Sequence, residues 1–330
     1  MFRRVPSSVL CGLVAALAGF AAPSAVAQEW PARPITIIVP FAPGGGTDTT
    51  ARLLGGVLQE TLGQPIAVEN RPGGSTNIGV QAVASADPDG YTFGLVTPNF
   101  AINPSLYGPA DFDPLTDLTA VASLVAVVDI LTASPSLGIT TTEELIAMGE
   151  QEPGSLFYGS SGIGSASHLA VILLESMTDA RFEHIPYQGS GPAVTALLGG
   201  EVGFGMLAAG SAAPYFADGS LIPLGVSSAE RIPGFPDIPA LSEAGLEGYE
   251  LLTWIGMVAP AGTPQEIIDR MSEEMLSAME RPEVREQLAS LGYLENPMGP
   301  AEFQTFIESE AERWRPIIEA EVAAGRLVVQ

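Results

Sequence analysis

The chain of 330 residues is 46% hydrophobic and only 15% charged, and 38 acidic against 13 basic residues give a formal net charge of -25. That length is enough for two domains with real cores, and that charge repels nucleic acid and anionic lipid, whose capture begins with Lys and Arg neutralising phosphates. Every basic residue is an arginine, so phosphate-loop and Schiff-base lysines are excluded together.

The first 27 residues read as a removable export signal. Arg3 and Arg4 form its basic start, residues 9–20 its apolar centre, and Ala25-Val26-Ala27 a cleavage site. The mature chain is expected to begin at Gln28 and to be periplasmic. Cys11, the only cysteine, falls inside the signal, and Leu10 stands where a lipoprotein signal wants a small residue. A protein without disulfides or a lipid anchor is expected. No later apolar run reaches the ~20 residues of a spanning helix.

The mature chain opens on Ile35-Thr-Ile-Ile-Val39, a buried-strand composition that stops at Gly44-Gly45-Gly46 and restarts as a helix carrying Ala51, Leu53, Leu54, Val57 and Leu58. Thr47 and Asp48 offer N-cap oxygens. Glycines leave the backbone N–H groups bare, and the first N–H groups of a helix lack internal partners, so the bend suits a carboxylate or phosphate without any cation. An ordinary strand-to-helix turn has the same composition, and both readings stay open at this point. The helix should end near Gly63. A short strand at 66–69, a glycine-bearing loop at 70–76, a helix from Ile78 to Ala84, a turn at 87–90 and a strand at 91–96 follow. This rhythm argues a mostly parallel sheet, in which ligands sit beyond the carboxyl ends of strands. The bends at 44–48 and 97–99 should therefore gather on one edge.

Residues 121–131 form a long β-branched stretch suited to cross between domains. A helix follows with cap candidates Thr140 to Thr142 and with Glu143 and Glu144 in its first turn. The opening motif then returns as a strand at 156–158, a Gly/Ser loop at 159–167 and a helix at 168–177. It returns again around His184-Ile-Pro-Tyr-Gln-Gly-Ser-Gly-Pro192, with Ser190 or Gly191 capping a helix that has Pro192 in first position. A strand at 202–208 ends in small residues, and 249–258, with Trp254 in its middle, reads as the return crossing. Trp254 suits either a core or a wall closing over a ligand. The remainder is helical: Thr263-Pro-Gln-Glu266 reads as a capping box, Pro282 opens a short helix stopped at Gly292, and Pro300 opens the last, which Pro316 should kink or end. The expected division is a first lobe of 28–125 plus 255–330 and a second lobe of 126–254, hinged on the two crossing strands.

Catalytic motifs are missing. Gly159-Ser-Ser161-Gly-Ile163 puts Ile where a nucleophile elbow needs Gly, and neither Gly44-x-Gly46 nor Gly162-x-Gly164 completes a dinucleotide fingerprint. His168 and His184 alone give no zinc spacing. No metal or cofactor is expected. A secreted hydrolase using Ser161 or Ser165 with His168 or His184 is the rival reading, and it lacks an orienting carboxylate.

Arg33-Pro-Ile-Thr-Ile-Ile-Val-Pro-Phe-Ala-Pro-Gly-Gly-Gly-Thr-Asp48 resembles the N-terminal signature of the substrate-binding proteins of tripartite tricarboxylate transporters, the Bug/TctC family. So do Val68-Glu-Asn-Arg-Pro-Gly-Gly74, Asp87-Pro-Asp-Gly-Tyr91, Gly164-Ser-Ala-Ser-His-Leu169, Pro186-Tyr-Gln-Gly-Ser-Gly-Pro192 and Ala259-Pro-Ala-Gly-Thr-Pro264. The resemblance implies an α/β, type II-like Venus-flytrap fold of two lobes. It implies a small carboxylate held by backbone N–H groups, hydroxyls and water, a membrane permease as partner, and no chemistry on the ligand. By position, Gly45, Gly46, Thr47 and Asp48 would form the first clamp with Thr97 beside it. Ser161, Ser165, Ala166 and His168 would form the second, helped by Gln188 and Ser190. This chain departs from many relatives in having Gln188 where they carry Lys. Asp48 fits a loop brace better than a ligand contact, because a carboxylate repels a carboxylate, and His168 suits a structural role as well as a ligand-facing one. A monomer is expected. A sensor that docks on a signalling partner would carry the same residues.

Overall fold

A computed structural model describes residues 30–327 apart from 45, 109–111, 188, 291 and 326. The expected export signal and its cleavage site lie outside the described residues. In chain order come β1 (Ile35–Val39), α1 (Gly46–Leu62), β2 (Ile66–Asn70), α2 (Asn77–Ala84), β3 (Thr92–Val96), α3 (Asn99–Tyr107) and β4 (Leu118–Val127). Next are β5 (Asp129–Ala133), α4 (Thr142–Gln151), β6 (Phe157–Ser160), α5 (Ala166–Met177), β7 (Glu183–Pro186), α6 (Ser190–Leu198), β8 (Phe204–Ala208), α7 (Ala209–Ala212) and β9 (Ile222–Val226). The chain returns with β10 (Thr253–Pro260), α8 (Gln265–Met279), α9 (Pro282–Ser290), β11 (Tyr293–Met298) and α10 (Pro300–Ala323).

The strands make two sheets, ordered β11-β4-β10-β3-β1-β2 and β7-β6-β8-β5-β9. Both are mixed. β1, β2 and β3 run parallel, as do β6, β7 and β8, because each is joined to the next by a helix laid on the sheet. β10 and β5 run antiparallel to their neighbours. The apolar stretch read as one crossing strand is two, broken at Val128, with β4 in the first sheet and β5 in the second. Thr253 at the start of β10 pairs with Val127 at the end of β4, and Asp129 at the start of β5 pairs with Ala208 at the end of β8. The crossings therefore sit at the carboxyl edges of both parallel blocks, where the helix-entering bends also lie.

β1 shows how the first sheet is held. Ile37 faces a cluster built with α1 and α8, and Ile38 faces the opposite cluster built with α2, α3 and α10, as the two-residue period requires. Each buried isoleucine contributes roughly 1.5–3 kcal/mol. Trp254 is 1% exposed and packs edge-on against Phe303 and Phe306, so it belongs to this core and does not wall a cleft. Gly256 lets Phe303 lie directly on β10; a Cβ there would overlap the ring.

Helix ends differ from expectation at three places. Thr141 with Glu144 forms the capping box of α4, but Thr263 and Glu266 form none: the Thr263 hydroxyl donates to Pro260 O at 2.8 Å, and α8 starts at Gln265 without a side-chain cap. α6 begins at Ser190 after Gly189, so Pro192 lies inside the first turn. α10 runs unbroken through Pro316. Pro316 is exposed while Trp314 and Ile318 are buried in the cluster of the second sheet, so apolar packing on both sides of the proline outweighs its missing hydrogen bond. The same helix packs Phe303, Ile307 and Ala311 against the first sheet, and so straps the two together.

The mutation Pro316→Ala restores an N–H and removes the ring clash at an exposed site. It is expected to raise stability by about 1–3 kcal/mol, read as a higher denaturant midpoint at unchanged slope.

Candidate ligand-binding site

α1 starts at Gly46, so Thr47 and Asp48 lie in its first turn instead of preceding it. Asp48 is buried and its carboxylate is fully engaged. Oδ2 accepts from the Gly44 N–H at 2.9 Å and from Arg52 Nε at 3.1 Å; Oδ1 accepts from Asn70 Nδ2 at 2.9 Å and lies 2.9 Å from Arg52 Nη2. Four donors fill the four lone-pair directions of a carboxylate. Burial opposes the ionised form, but the hydrogen bonds from Arg52, Gly44 and Asn70 outweigh it and hold the carboxyl below its ordinary value. Asp48 is thus the brace of the glycine bend, and the cation beside it is already paired.

The second bend, between β6 and α5, is knitted by its own hydroxyls. Ser167 Oγ accepts from the Ser161 N–H at 2.9 Å and lies 2.9 Å and 3.0 Å from the hydroxyls of Ser161 and Ser165. Ser165 caps α5, accepting from the His168 N–H at 3.4 Å, and donates to Gly162 O at 2.6 Å. His168 is buried, and its Nδ1 accepts from the Gly164 N–H at 3.0 Å, which places the ring proton on Nε2. Its ring stacks on His184 at 3.8 Å and 10°. Burial, then His184, holds His168 well below its ordinary value, and burial pushes His184 down to about 4. His168 therefore shapes the bend from behind.

The remaining expected residues fall on the same edges. Thr97, at the end of β3, donates to Asn99 Oδ1 at 3.3 Å. Asn99 Nδ2 donates to Gly164 O at 2.9 Å, a buried bond from the carboxyl edge of one sheet to the serine bend of the other. Ala166 opens α5 and Ser190 opens α6. Gly45 and Gln188 lie outside the described residues. Sequence reasoning did not assign bracing roles to Asn70, Asn99 and Ser167, although Asn99 lay in the bend at 97–99, Asn70 at the head of the glycine-bearing loop and Ser167 inside the Gly/Ser loop.

The serines expected of a hydrolase do not meet a histidine ring. The hydroxyl at hydrogen-bond distance from a ring is that of Ser160, 2.6 Å from His184 Nε2, and Ser160 is wholly buried and also bonded to Gly162. Among the described residues no group of three or more His, Cys, Asp or Glu is placed to hold a metal ion. No helix among them is long and apolar enough to cross a membrane.

Asp129 stands where the chain crosses from β4 to β5. Its carboxyl is buried, with the Thr253 hydroxyl at 3.4 Å, and its N–H donates to Ser227 Oγ at 3.0 Å. Burial raises it to about 7 against the small opposing effect of Thr253.

Two α/β lobes are joined by crossing strands, with helix entrances gathered at the joint. The chain belongs to the tripartite tricarboxylate transporter family receptors (TctC), whose family model matches residues 50–322. It is similar to R. palustris Rpa4515, solved with adipate, at 35% identity and TM-score 0.82, covering 88% of this chain and 97% of that one. Periplasmic binding protein BugD is similar at 31% identity and TM-score 0.80, covering 90% and 99%. MatC from Rhodopseudomonas palustris, solved with malate, is similar at 31% identity and TM-score 0.79, covering 88% and 100%. The two-lobe fold expected from the sequence is the one found, and the family is one of non-enzymatic periplasmic receptors.

Because the folded value of Asp129 lies above its ordinary one, its contribution to stability is present below the ordinary carboxylate range and is lost as pH rises through about 7. The mutation Asp129→Asn removes that loss. Relative to wild type its stability should grow between pH 4 and pH 8 by an amount on the order of 2–4 kcal/mol, measured by denaturation across that range.

Proposed function

We propose that the mature protein, exported and cleaved after Ala27, is a monomeric periplasmic receptor. It takes a small organic carboxylate between a first lobe of 28–125 plus 255–330 and a second lobe of 126–254, and hands it to the permease subunits of a tripartite tricarboxylate transporter. The clamp is formed by Gly45, Gly46, Thr47 and Thr97 on one side and by Ser161, Ser165, Ala166, Gln188 and Ser190 on the other, with Asp48 and His168 bracing the bends.

One observation carries the reading: the bends at both carboxyl edges are braced from within while the first N–H groups of α1 and α5 have no helical carbonyl to bond. The arginine at the first bend, Arg52, is bound to Asp48, so a guest meets dipoles and hydroxyls, not a salt bridge. Support comes from the relatives solved with adipate and malate. The net charge of -25 opposes an anion at long range, but physiological salt screens that field beyond about 8 Å.

Calorimetry of the mature protein against malate, adipate, citrate, glutamate and benzoate, with glucose and calcium as controls, should show binding of at least one carboxylate. Response only to sugar or cation overturns the reading. The mutation Gly46→Val should weaken the bound carboxylate on the order of 100-fold by displacing the bend. Unchanged affinity places the site elsewhere.

A further inference from the structure

Tyr293 is the first residue of β11 and pairs with Val127 at the hinge end of β4. Its side chain reaches across to the start of α1. A Cβ on Gly46 would overlap the Tyr293 hydroxyl oxygen, with the ring carbon Cζ 3.2 Å away. The phenol oxygen therefore lies against the helix entrance itself. On its other flank the chain touches the second lobe: a Cβ on Gly292 would stand 3.0 Å from Ala209 Cβ and 3.3 Å from the Gly210 nitrogen. Tyr293 is thus set on the floor between the lobes, at the place where α1 presents free N–H groups.

Its hydroxyl makes no hydrogen bond to any described residue, and the residue is partly exposed, so the oxygen is within reach of water or a guest. A tyrosine placed this way ordinarily finds a partner for its O–H. The Gly46 N–H beside it is a donor with no helical carbonyl to bond, so a guest that accepts from one of the two can accept from the other. Burial, then the charge of Asp129, pushes the phenol up to about 12, so it stays a donor across the physiological range.

We propose that Tyr293 is a further ligand-contacting and specificity-determining residue: its hydroxyl donates to the carboxylate received at the entrance of α1. This rests on the receptor reading above. It gives the first clamp an O–H donor beside the backbone N–H groups, and explains why Gly46 must lack a side chain: the same space is occupied by the phenol. It also favours guests that present a free acceptor at the hinge end of the cleft over those that present an amide N–H or a methyl group.

Tyr293→Phe keeps the ring and removes one oxygen. Calorimetry of wild type and variant with malate, adipate, citrate, glutamate and benzoate, alongside melting curves without ligand, tests the proposal. The expected result is a loss of about tenfold or more in affinity for the carboxylate that binds wild type, with the ligand-free melting temperature unchanged. Wild-type binding with equal affinity in the variant overturns this inference alone. A variant whose ligand-free melting temperature falls together with its affinity has lost a structural contact, and this too overturns it. Wild type that binds no carboxylate overturns both readings.

Discussion

A helix entrance receives a negative guest only while its first N–H groups stay unpartnered and stationary. Holding them still requires bracing, and any brace that accepts from those N–H groups uses up what it protects. The two bends meet this constraint from outside the entrance. Asp48 accepts from Gly44, which precedes α1, and from side chains of Arg52 and Asn70. In the second bend His168 reaches back to the Gly164 N–H, while Ser167 gathers Ser161 and Ser165. Ser165 does cap one N–H of α5, at a long 3.4 Å. Preorganised donors lose little entropy when a guest arrives, and on the proposed function this is the source of affinity without a cation.

The position of these bends follows from the crossing of the chain between the lobes. Strands that enter from the other sheet must run against the parallel block, so β10 and β5 put their amino ends at the edge where β3 and β8 have their carboxyl ends. Helix entrances and chain crossings are in this way brought to one place by topology. Two further links tie the lobes there: α10, which packs into the clusters of both sheets, and the bond from Asn99 to Gly164 O. Ile102 and Leu106 of α3 also belong to the cluster of the second sheet, so the helix that follows Asn99 is shared between the lobes.

Much of this was legible in the chain because it is local. Buried-strand composition marked β1 and β3, glycines marked the bends, and Thr140 to Thr142 followed by Glu143 and Glu144 marked a helix start. What was illegible depends on distant partners. Nothing near Asp48 announces that Asn70, across the sheet on β2, will complete its carboxylate. The break at Val128 hides within a largely apolar run, since strand composition does not say which sheet a strand joins. Pro316 and Thr263 misled in the same way: propensity and motif favour an end and a box, but the burial of Trp314 and Ile318 and the carbonyl of Pro260 decide otherwise. Tyr293 follows the short helix stop at Gly292 and carries no motif, and only the fold brings it to Gly46.

The titratable groups around the joint share one property. His168 and His184 are held below their ordinary values by burial, and Asp129 is held above its own. Each shift favours the neutral form, because a charge taken out of water without a partner is costly. The sole full charge at the first bend, Asp48, is cancelled by Arg52. The two histidines are consequently neutral near pH 7, while Asp129, raised to about 7, is near its midpoint there. On the function proposed above, an anion entering the joint meets no unpaired cation at the first bend, because Arg52 is bound to Asp48, and its binding energy comes from many dipoles of modest strength. Such binding weakens readily when the lobes separate, since moving one entrance away removes a whole set of donors at once. A receptor that must also release its guest gains from that sharing of donors between two movable bodies, where a single buried ion pair would hold the guest to one lobe in every conformation.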